Sequence, residues 1–276
     1  MSFSFGLIGY PVQHSLSPWI HKQFLQRTNQ EGTYKLFEIH PESFKEEVQL
    51  LRNESLNGFN VTVPYKEKII PFLDEIDPYA KKIGAVNTVL CKNNKWIGYN
   101  TDGIGYVRAL ESKFPALVKD KEKNILLLGA GGAAKGIFHA LIDKGYQHIH
   151  MANRTVAKAE ELTKEITTST AISIETASNH IMEYDMIIHT SSVGMKPNVD
   201  EVIISFTQLK QDAIVSDIVY QPLMTKLLQN AKQVGANIHF GHTMLLYQAL
   251  YAFEIWTNLS PSMEQLDKEL QQVLEG

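Results

Sequence analysis

A chain of 276 residues with a single cysteine, Cys91, can close no intramolecular disulfide and assemble no cysteine-rich metal site. That suits a reducing, cytoplasmic setting. A strong charge field is missing too. Against 30 Asp and Glu stand 26 Lys and Arg, a net of −4, which would not draw the protein onto nucleic acid or an anionic membrane. Small molecules are the partners such a balance fits. Nor are there long apolar runs. The longest, near residues 244–256, is interrupted by Gln248 and Glu254, and the opening MSFSFGLIGYPVQ has no basic region before its short apolar stretch. Neither a membrane span nor a secretion signal is expected. The ten histidines are scattered without an H-E-x-x-H-type ligand set, which speaks against metal-dependent or histidine-based hydride chemistry. His14 and His21 are read as structural or surface residues.

What is present is an alternation of strand-length apolar runs with helical-period segments, at about twice the length of a typical domain. The expected class is α/β, with parallel sheets wrapped by helices. In the first part FSFGLIG, TYKLFEI and FNVTV read as strands and residues 18–29 and 42–53 as helices, with Pro18 and Pro41 in first turns. AVNTVLC and WIGYN around KNNK read as a hairpin. A helix follows from Asp102 to Phe114, and the polar PALVKDKEKN ends this part. From Asn124 six strand candidates (NILLLG, IHMAN, AISI, YDMIIHT, AIVSDIV, NIHF) alternate with helices near 133–144, 156–166 and 222–234, a doubly wound unit. Two strandless helical segments close the chain. The expected division is 1–103, 104–242 as a Rossmann-type domain, and 243–276 packing back on the first part.

The segment ILLLGAGGAAKGIFHAL runs an apolar strand into Gly129, Ala130, Gly131, Gly132, Ala133 and Ala134 and then a helix. This is G-x-G-x-x-A in a strand-turn-helix context. Gly129 permits the tight turn, Gly131 lets backbone N–H groups approach a pyrophosphate, and small Ala134 lets the helix pack close to the strand. The next strand ends in Asn153, Arg154 and Thr155, where an NAD-preferring fold carries Asp or Glu for the ribose 2′-hydroxyl. Arg154, supported by Thr155 and Lys158, suits a 2′-phosphate instead, so the expected cofactor is NADP. The plainer alternative makes Arg154 and Lys158 solvated charges at a helix start, where the dipole gives a cation no benefit.

Four further motifs lie outside this unit: S-L-S-P at 15–18, N-V-T-V-P-Y-K at 60–66, G-A-V-N-T at 84–88 and G-Y-N-T-D-G at 98–103. With GAGGAA, N-R-T, D-I-V-Y-Q-P-L-x-T at 217–225 and G-x-x-M-L-x-x-Q at 241–248, they form an ordered set that resembles the shikimate dehydrogenase family over the whole chain. The resemblance implies an N-terminal substrate domain completed by the C-terminal helices, an NADP-binding Rossmann domain, and NADPH-dependent reduction of 3-dehydroshikimate to shikimate in aromatic amino acid (chorismate) biosynthesis, by a monomer or homodimer. Lys66 and Asp102 correspond to the catalytic pair. Ser15 and Ser17 correspond to hydroxyls holding the substrate carboxylate, with Tyr220 contributing from the cofactor domain. Asn60, Thr62, Asn87 and Gln248 correspond to groups around the ring hydroxyls, Ile218 lies beside the nicotinamide, and Gly241 is near the cofactor.

Each residue also has a plainer reading. Ser17 could be an N-cap before Pro18, Gln248 a satisfied core amide, Lys66 an exposed lysine opening a KEKIIPFL helix, and Asp102 an N-cap. Two departures from common family patterns stand out: N-R-T is followed by V-A-K, leaving Lys158 as a less specific phosphate contact, and the segment after YDMIIHT, to which the resemblance gives nicotinamide contacts, reads S-S-V-G-M. Rival readings are a quinate/shikimate or aminoshikimate dehydrogenase on the same plan, and a non-catalytic NADP-binding sensor.

Overall fold

The computed structural model describes residues 2–116 and 119–275; Met1, Gly276, and Leu117 and Val118 of the PALVKDKEKN stretch lie outside the described residues. The chain divides into two compact units, Met1–Gly105 with Leu246–Glu264, and Tyr106–Leu245 with Gln265–Gly276.

The first unit contains β1 (Phe3–Gly9), α1 (Ser17–Arg27), β2 (Gly32–Glu38), α2 (Phe44–Leu51), β3 (Gly58–Val61), β4 (Glu75–Ile76), α3 (Pro78–Ile83), β5 (Thr88–Lys92) and β6 (Lys95–Tyr99), and ends within α4 (Asp102–Lys113). Its sheet runs β2-β1-β3-β5-β6-β4. β1 pairs in parallel with β2 and β3, while β5 is antiparallel to both β3 and β6, so the expected hairpin is present inside an otherwise parallel sheet. Ile8, Phe59, Val61, Tyr65, Val89 and Trp96 form its core, each side chain contributing roughly 1.5–3 kcal/mol when fully buried. Two expectations fail locally. Pro41 lies in a turn ahead of α2, and KEKIIPFL forms turns and a single 3-10 turn at Ile70–Phe72. Pro71 explains the second: it lacks the N–H an α-helix interior needs and its ring clashes with the preceding turn.

The second unit contains the rest of α4, then β7 (Asn124–Leu128), α5 (Gly132–Asp143), β8 (His148–Ala152), α6 (Val156–Thr163), β9 (Ser169–Ile172), α7 (Ile174–Asn179), β10 (Met186–His189), β11 (Ile214–Asp217), α8 (Lys226–Gln233) and β12 (Asn237–His239). All its strands pair in parallel, in the order β12-β11-β10-β7-β8-β9. Counted along this unit that is 3-2-1-4-5-6, the doubly wound arrangement that binds dinucleotides outside the carboxyl ends of its strands. Strands buried on both faces read as the continuous apolar runs seen in NILLL and MIIH.

Beyond β12 come α9 (Gly241–Thr257) and α10 (Leu266–Glu275). Most of α9 belongs to the first unit, where Trp256 donates from Nε1 to the Val89 carbonyl at 2.9 Å and covers Gly58. α10 departs from the expected division and belongs to the second unit. Asp267 accepts from buried His242 at 2.6 Å, while Leu266 and Leu270 are fully buried.

Candidate functional site

In the first unit the motif residues converge on one polar network. Lys66 follows the short turn after β3 and Asp102 opens α4, and Lys66 Nζ donates to Asp102 Oδ2 at 2.6 Å. The other carboxylate oxygen accepts from Asn87 Nδ2 at 2.8 Å. Side-chain exposure is 32% for Lys66 and 15% for Asp102, so the pair is reachable but largely sheltered. Asp102 is not the N-cap that the plain reading supposed. Its own N–H donates to Asn100 Oδ1 at 3.1 Å, which leaves its carboxylate for Lys66 and Asn87.

Asn87 is the hub. Its Nδ2 also donates to Thr101 Oγ1 at 2.9 Å, and its Oδ1 accepts from the Thr101 N–H at 2.8 Å and from Thr88 Oγ1 at 3.0 Å. Asn60 joins from β3, donating to the Asn87 carbonyl at 3.2 Å and to Thr88 Oγ1 at 3.1 Å, while its Oδ1 accepts from Tyr34 at 2.8 Å. The buried amides are therefore bonded within the protein, as their near-complete burial demands. Thr62 sits just past the end of β3 and is half-buried where Asn60 is buried. Gln248 reaches this network from α9: its Oε1 is 3.5 Å from Asn87 Nδ2, at the outer limit of a hydrogen bond. Gly105 makes that approach possible, since a Cβ there would lie 2.6 Å from the Gln248 backbone.

Ser15 and Ser17 are adjacent, their hydroxyls 3.2 Å apart, and Ser15 Oγ accepts the Ser17 N–H at 3.2 Å. Leu16 takes the N-cap position of α1 without a side-chain bond, so Ser17 is a first-turn residue whose hydroxyl accepts from Ser15 instead of capping the helix. Behind this pair, burial holds the Tyr34 hydroxyl well above the usual phenol range, with Ser17 as the opposing influence. Tyr34 stacks on His21 at 4.5 Å, and burial pushes His21 down to about 3. Asn60 opposes that shift without outweighing burial. His21 is thus a neutral core ring, and His14 is exposed. Sequence reasoning missed Tyr34, Thr88, Thr101 and Asn100 as parts of this network, although the last three lie inside motifs it singled out.

In the second unit β7 runs into Gly129, whose φ of +116° only glycine adopts readily and whose N–H donates to the Ala152 carbonyl at 2.8 Å. Ala130 follows, Gly131 is the N-cap of α5, and Gly132 and Ala133 form its first turn. A Cβ on Gly131 or Gly132 would meet nothing within 4 Å, whereas Ala134 is fully buried, as close packing of helix on strand requires. This is a helix N-terminus bordered by open space at Gly131 and Gly132, an arrangement that fits a pyrophosphate. At the end of β8, Asn153 Nδ2 donates to the Thr155 carbonyl at 2.9 Å and shapes the entry to α6. Arg154, Thr155 and Lys158 are exposed, and among the described residues neither cation has a carboxylate partner. Gly241 packs on the strand end that carries Ile218: a Cβ there would lie 2.4 Å from the Ile218 carbonyl oxygen. Tyr220 follows β11, half-buried, with its phenol pushed up by burial.

Family comparison covers nearly the whole chain. Residues 7–89 match the shikimate dehydrogenase substrate binding domain, 109–220 the shikimate/quinate 5-dehydrogenase model, and 241–270 the shikimate 5′-dehydrogenase C-terminal domain. An NADP(+) shikimate dehydrogenase of Oceanobacillus iheyensis is 53% identical over the full length of both chains. The crystal structure of a Thermus thermophilus shikimate 5-dehydrogenase, in complex with NADP(H) and shikimate, superposes with a TM-score of 0.88 at 31% identity, covering 98% of this chain and 99% of its own. A Corynebacterium glutamicum quinate dehydrogenase in complex with NAD superposes almost as well, at 0.87, but at 26% identity over 98% and 99% of the two chains. The chain belongs to the shikimate dehydrogenase family.

Proposed function

We propose that this chain is an NADP-dependent shikimate dehydrogenase that reduces 3-dehydroshikimate to shikimate, reversibly, with Lys66 and Asp102 as the catalytic pair. The observation that carries the chemistry is the 2.6 Å Lys66–Asp102 bond, sheltered but open on one side and fixed from behind by Asn87. When bound, NADPH supplies the hydride. The protein's task is the oxygen left behind, which gains negative charge as the carbonyl carbon is reduced and must take up a proton. An ammonium beside that oxygen stabilises the charge and can pass it a proton, while Asp102 keeps Lys66 in place and balances its charge. The coupled pair acts as one acid. For the reverse reaction the same two groups serve as base.

Ser15 and Ser17 hold the substrate carboxylate through hydroxyls that need no buried counter-charge, and Tyr220 supplies a further hydroxyl. Asn60, Thr62, Asn87 and Gln248 define the ring-hydroxyl subsite. Because Asn60 and Asn87 are already bonded internally, their part is to fix the orientation of Lys66, Asp102 and Gln248 as much as to touch the ligand. Gly129, Ala130, Gly131, Gly132 and Ala133 cradle the pyrophosphate. Arg154, with Asn153, Thr155 and Lys158, holds the 2′-phosphate, and Ile218 and Gly241 lie at the nicotinamide end. The reaction belongs to aromatic amino acid biosynthesis and runs in the cytoplasm, a setting that the lone, half-buried Cys91 suits.

The test is NADPH oxidation with purified protein, 3-dehydroshikimate and 3-dehydroquinate being offered in parallel. Higher kcat/KM for 3-dehydroshikimate supports the assignment. Preference for 3-dehydroquinate would make the protein a quinate dehydrogenase, and binding of NADPH without turnover of either would make it a sensor.

A further inference from the structure

Tyr34 lies outside every motif and has no part in the reaction described above. It sits in the middle of β2, the outer strand of the first sheet, yet its hydroxyl reaches across β1 to β3 and lies 2.8 Å from Asn60 Oδ1. The neighbours fix the direction of this bond. Asn60 Nδ2 is 3.2 Å from the Asn87 carbonyl and 3.1 Å from Thr88 Oγ1. A carbonyl only accepts, and that of Asn87 already takes the Val61 N–H at 2.8 Å, so the amide nitrogen must face it and the amide oxygen must face Tyr34. Tyr34 therefore donates. Burial, which holds its phenol above the usual range, keeps the proton in place.

Both amide hydrogens of Asn60 are thus engaged inside the protein. What remains is the second lone pair of Oδ1, since Tyr34 is the one donor bonded to that oxygen among the described residues; His21 lies against the same amide with both ring nitrogens unbonded. Asn60 can accept from a ring hydroxyl but has nothing to donate to a ketone. A substrate turned so that its carbonyl met Asn60 would set two acceptors face to face. The same phenol stands beside the other end of the ligand site, because Ser17, one of the pair assigned to the carboxylate, is the hydroxyl that opposes the rise in its pKa.

We propose that Tyr34 is a positioning residue for substrate recognition: it holds Asn60 Oδ1 at a fixed place beside Ser17, where one ring hydroxyl of the substrate donates to it while the ketone is left to Lys66. The inference rests on the substrate reading above. Tyr34→Phe keeps the ring that stacks on His21 at 4.5 Å and removes only the hydroxyl. The KM for shikimate should rise roughly threefold to tenfold, the span one neutral hydrogen bond supplies, while kcat stays within about twofold and the Kd for NADPH is unchanged. Asn60→Ala removes the oxygen that Tyr34 holds, so adding Tyr34→Phe to it should raise KM no further. Shikimate analogues lacking the 4-hydroxyl or the 5-hydroxyl identify the group that Asn60 reads: the penalty for one of them should be smaller in Tyr34→Phe than in wild type. Urea midpoints on the same preparations separate a fold effect from a binding effect. A lowered midpoint with unchanged KM would return Tyr34 to the core and overturn the proposal, as would losses that multiply in the double variant or penalties for both analogues that match wild type. A wild type that turns over no shikimate would overturn the substrate reading and this proposal with it.

Discussion

The two units hold their functional residues in opposite ways. In the first, Asn60, Asn87, Thr88, Thr101 and Asp102 bond to one another and to Lys66, so the polar groups are satisfied before any ligand arrives. In the second, Gly131 and Gly132 border open space, and Arg154 and Lys158 stand exposed at a helix start, where the dipole opposes them. One arrangement is preorganised by the protein; the other, on the function proposed above, is completed by an anion. Chemistry that depends on sub-ångström placement of a proton donor requires the first. Recognition of a polyanion is served by the second, because each charge unpaired in the free protein becomes differential affinity for the ligand that pairs it.

The largest expected effect separates the two directly. Lys66→Ala should lower kcat by about a hundredfold to ten-thousandfold, the usual range for a positioned acid, while the Kd for NADPH stays near wild type in a fluorescence titration. Loss of NADPH binding in this variant would break the division between the sites.

Next, Arg154→Ala should weaken NADP roughly tenfold to a hundredfold and leave NAD much less affected, with the KM for shikimate unchanged. Adding Asn153→Asp should lower the NADPH/NADH ratio of kcat/KM further, since a carboxylate repels the 2′-phosphate and accepts from a 2′-hydroxyl. A ratio that does not fall along this series would return Arg154 to the solvated surface.

Within the glycine turn the prediction is a contrast. Gly131→Ala places a methyl group in open space on an extended backbone, so thermal stability should stay within about 0.5 kcal/mol of wild type while NADPH binding falls about tenfold or more. Gly129→Ala forces φ of +116° on alanine and drives its Cβ towards Thr190, so it should cost about 1–3 kcal/mol of stability with or without cofactor. Equal stability losses in the two variants would show that the space over Gly131 is structural.

The last effect concerns the cores and leaves activity at neutral pH untouched. Burial lowers both His21 and His239 to about 3. Above pH 6.5 each is neutral folded and unfolded; as pH falls from there towards 3, the unfolded chain takes up protons the folded one refuses. Stability should therefore fall by up to about 1.4 kcal/mol per pH unit for each ring. His21→Phe should remove one ring's share of that slope, as read from urea midpoints between pH 6.5 and 4. An unchanged slope would show that His21 protonates in the folded state.

Much of this was legible in the sequence because it is local. Strand-turn-helix around GAGGAA, the run of six parallel strands and the hairpin around KNNK each follow from period and turn chemistry. Short elements were not. β4 has only two residues, and α7 begins inside what reads as a strand because Ser173 caps it, accepting the Thr176 N–H. The assignment of α10 depended on His242 meeting Asp267, a partnership no periodicity encodes. The same limit applies at the sites: motif order picked out Lys66, Asp102 and Asn87, but Tyr34 lies in an unremarkable strand and reaches Asn60 only through tertiary packing, as His189 reaches Asp217 only through strand register.

The central claim is that Lys66 and Asp102 work as a single acid held by Asn87. Single-turnover hydride transfer from NADPH to 3-dehydroshikimate, compared in wild type, Lys66→Ala, Asp102→Asn and the double variant, tests it most directly. Members of one functional unit give strongly non-additive losses, so the double variant should transfer hydride no more slowly than the worse of the two single variants. Losses that multiply, leaving the double variant slower than either by the full product, would contradict the account.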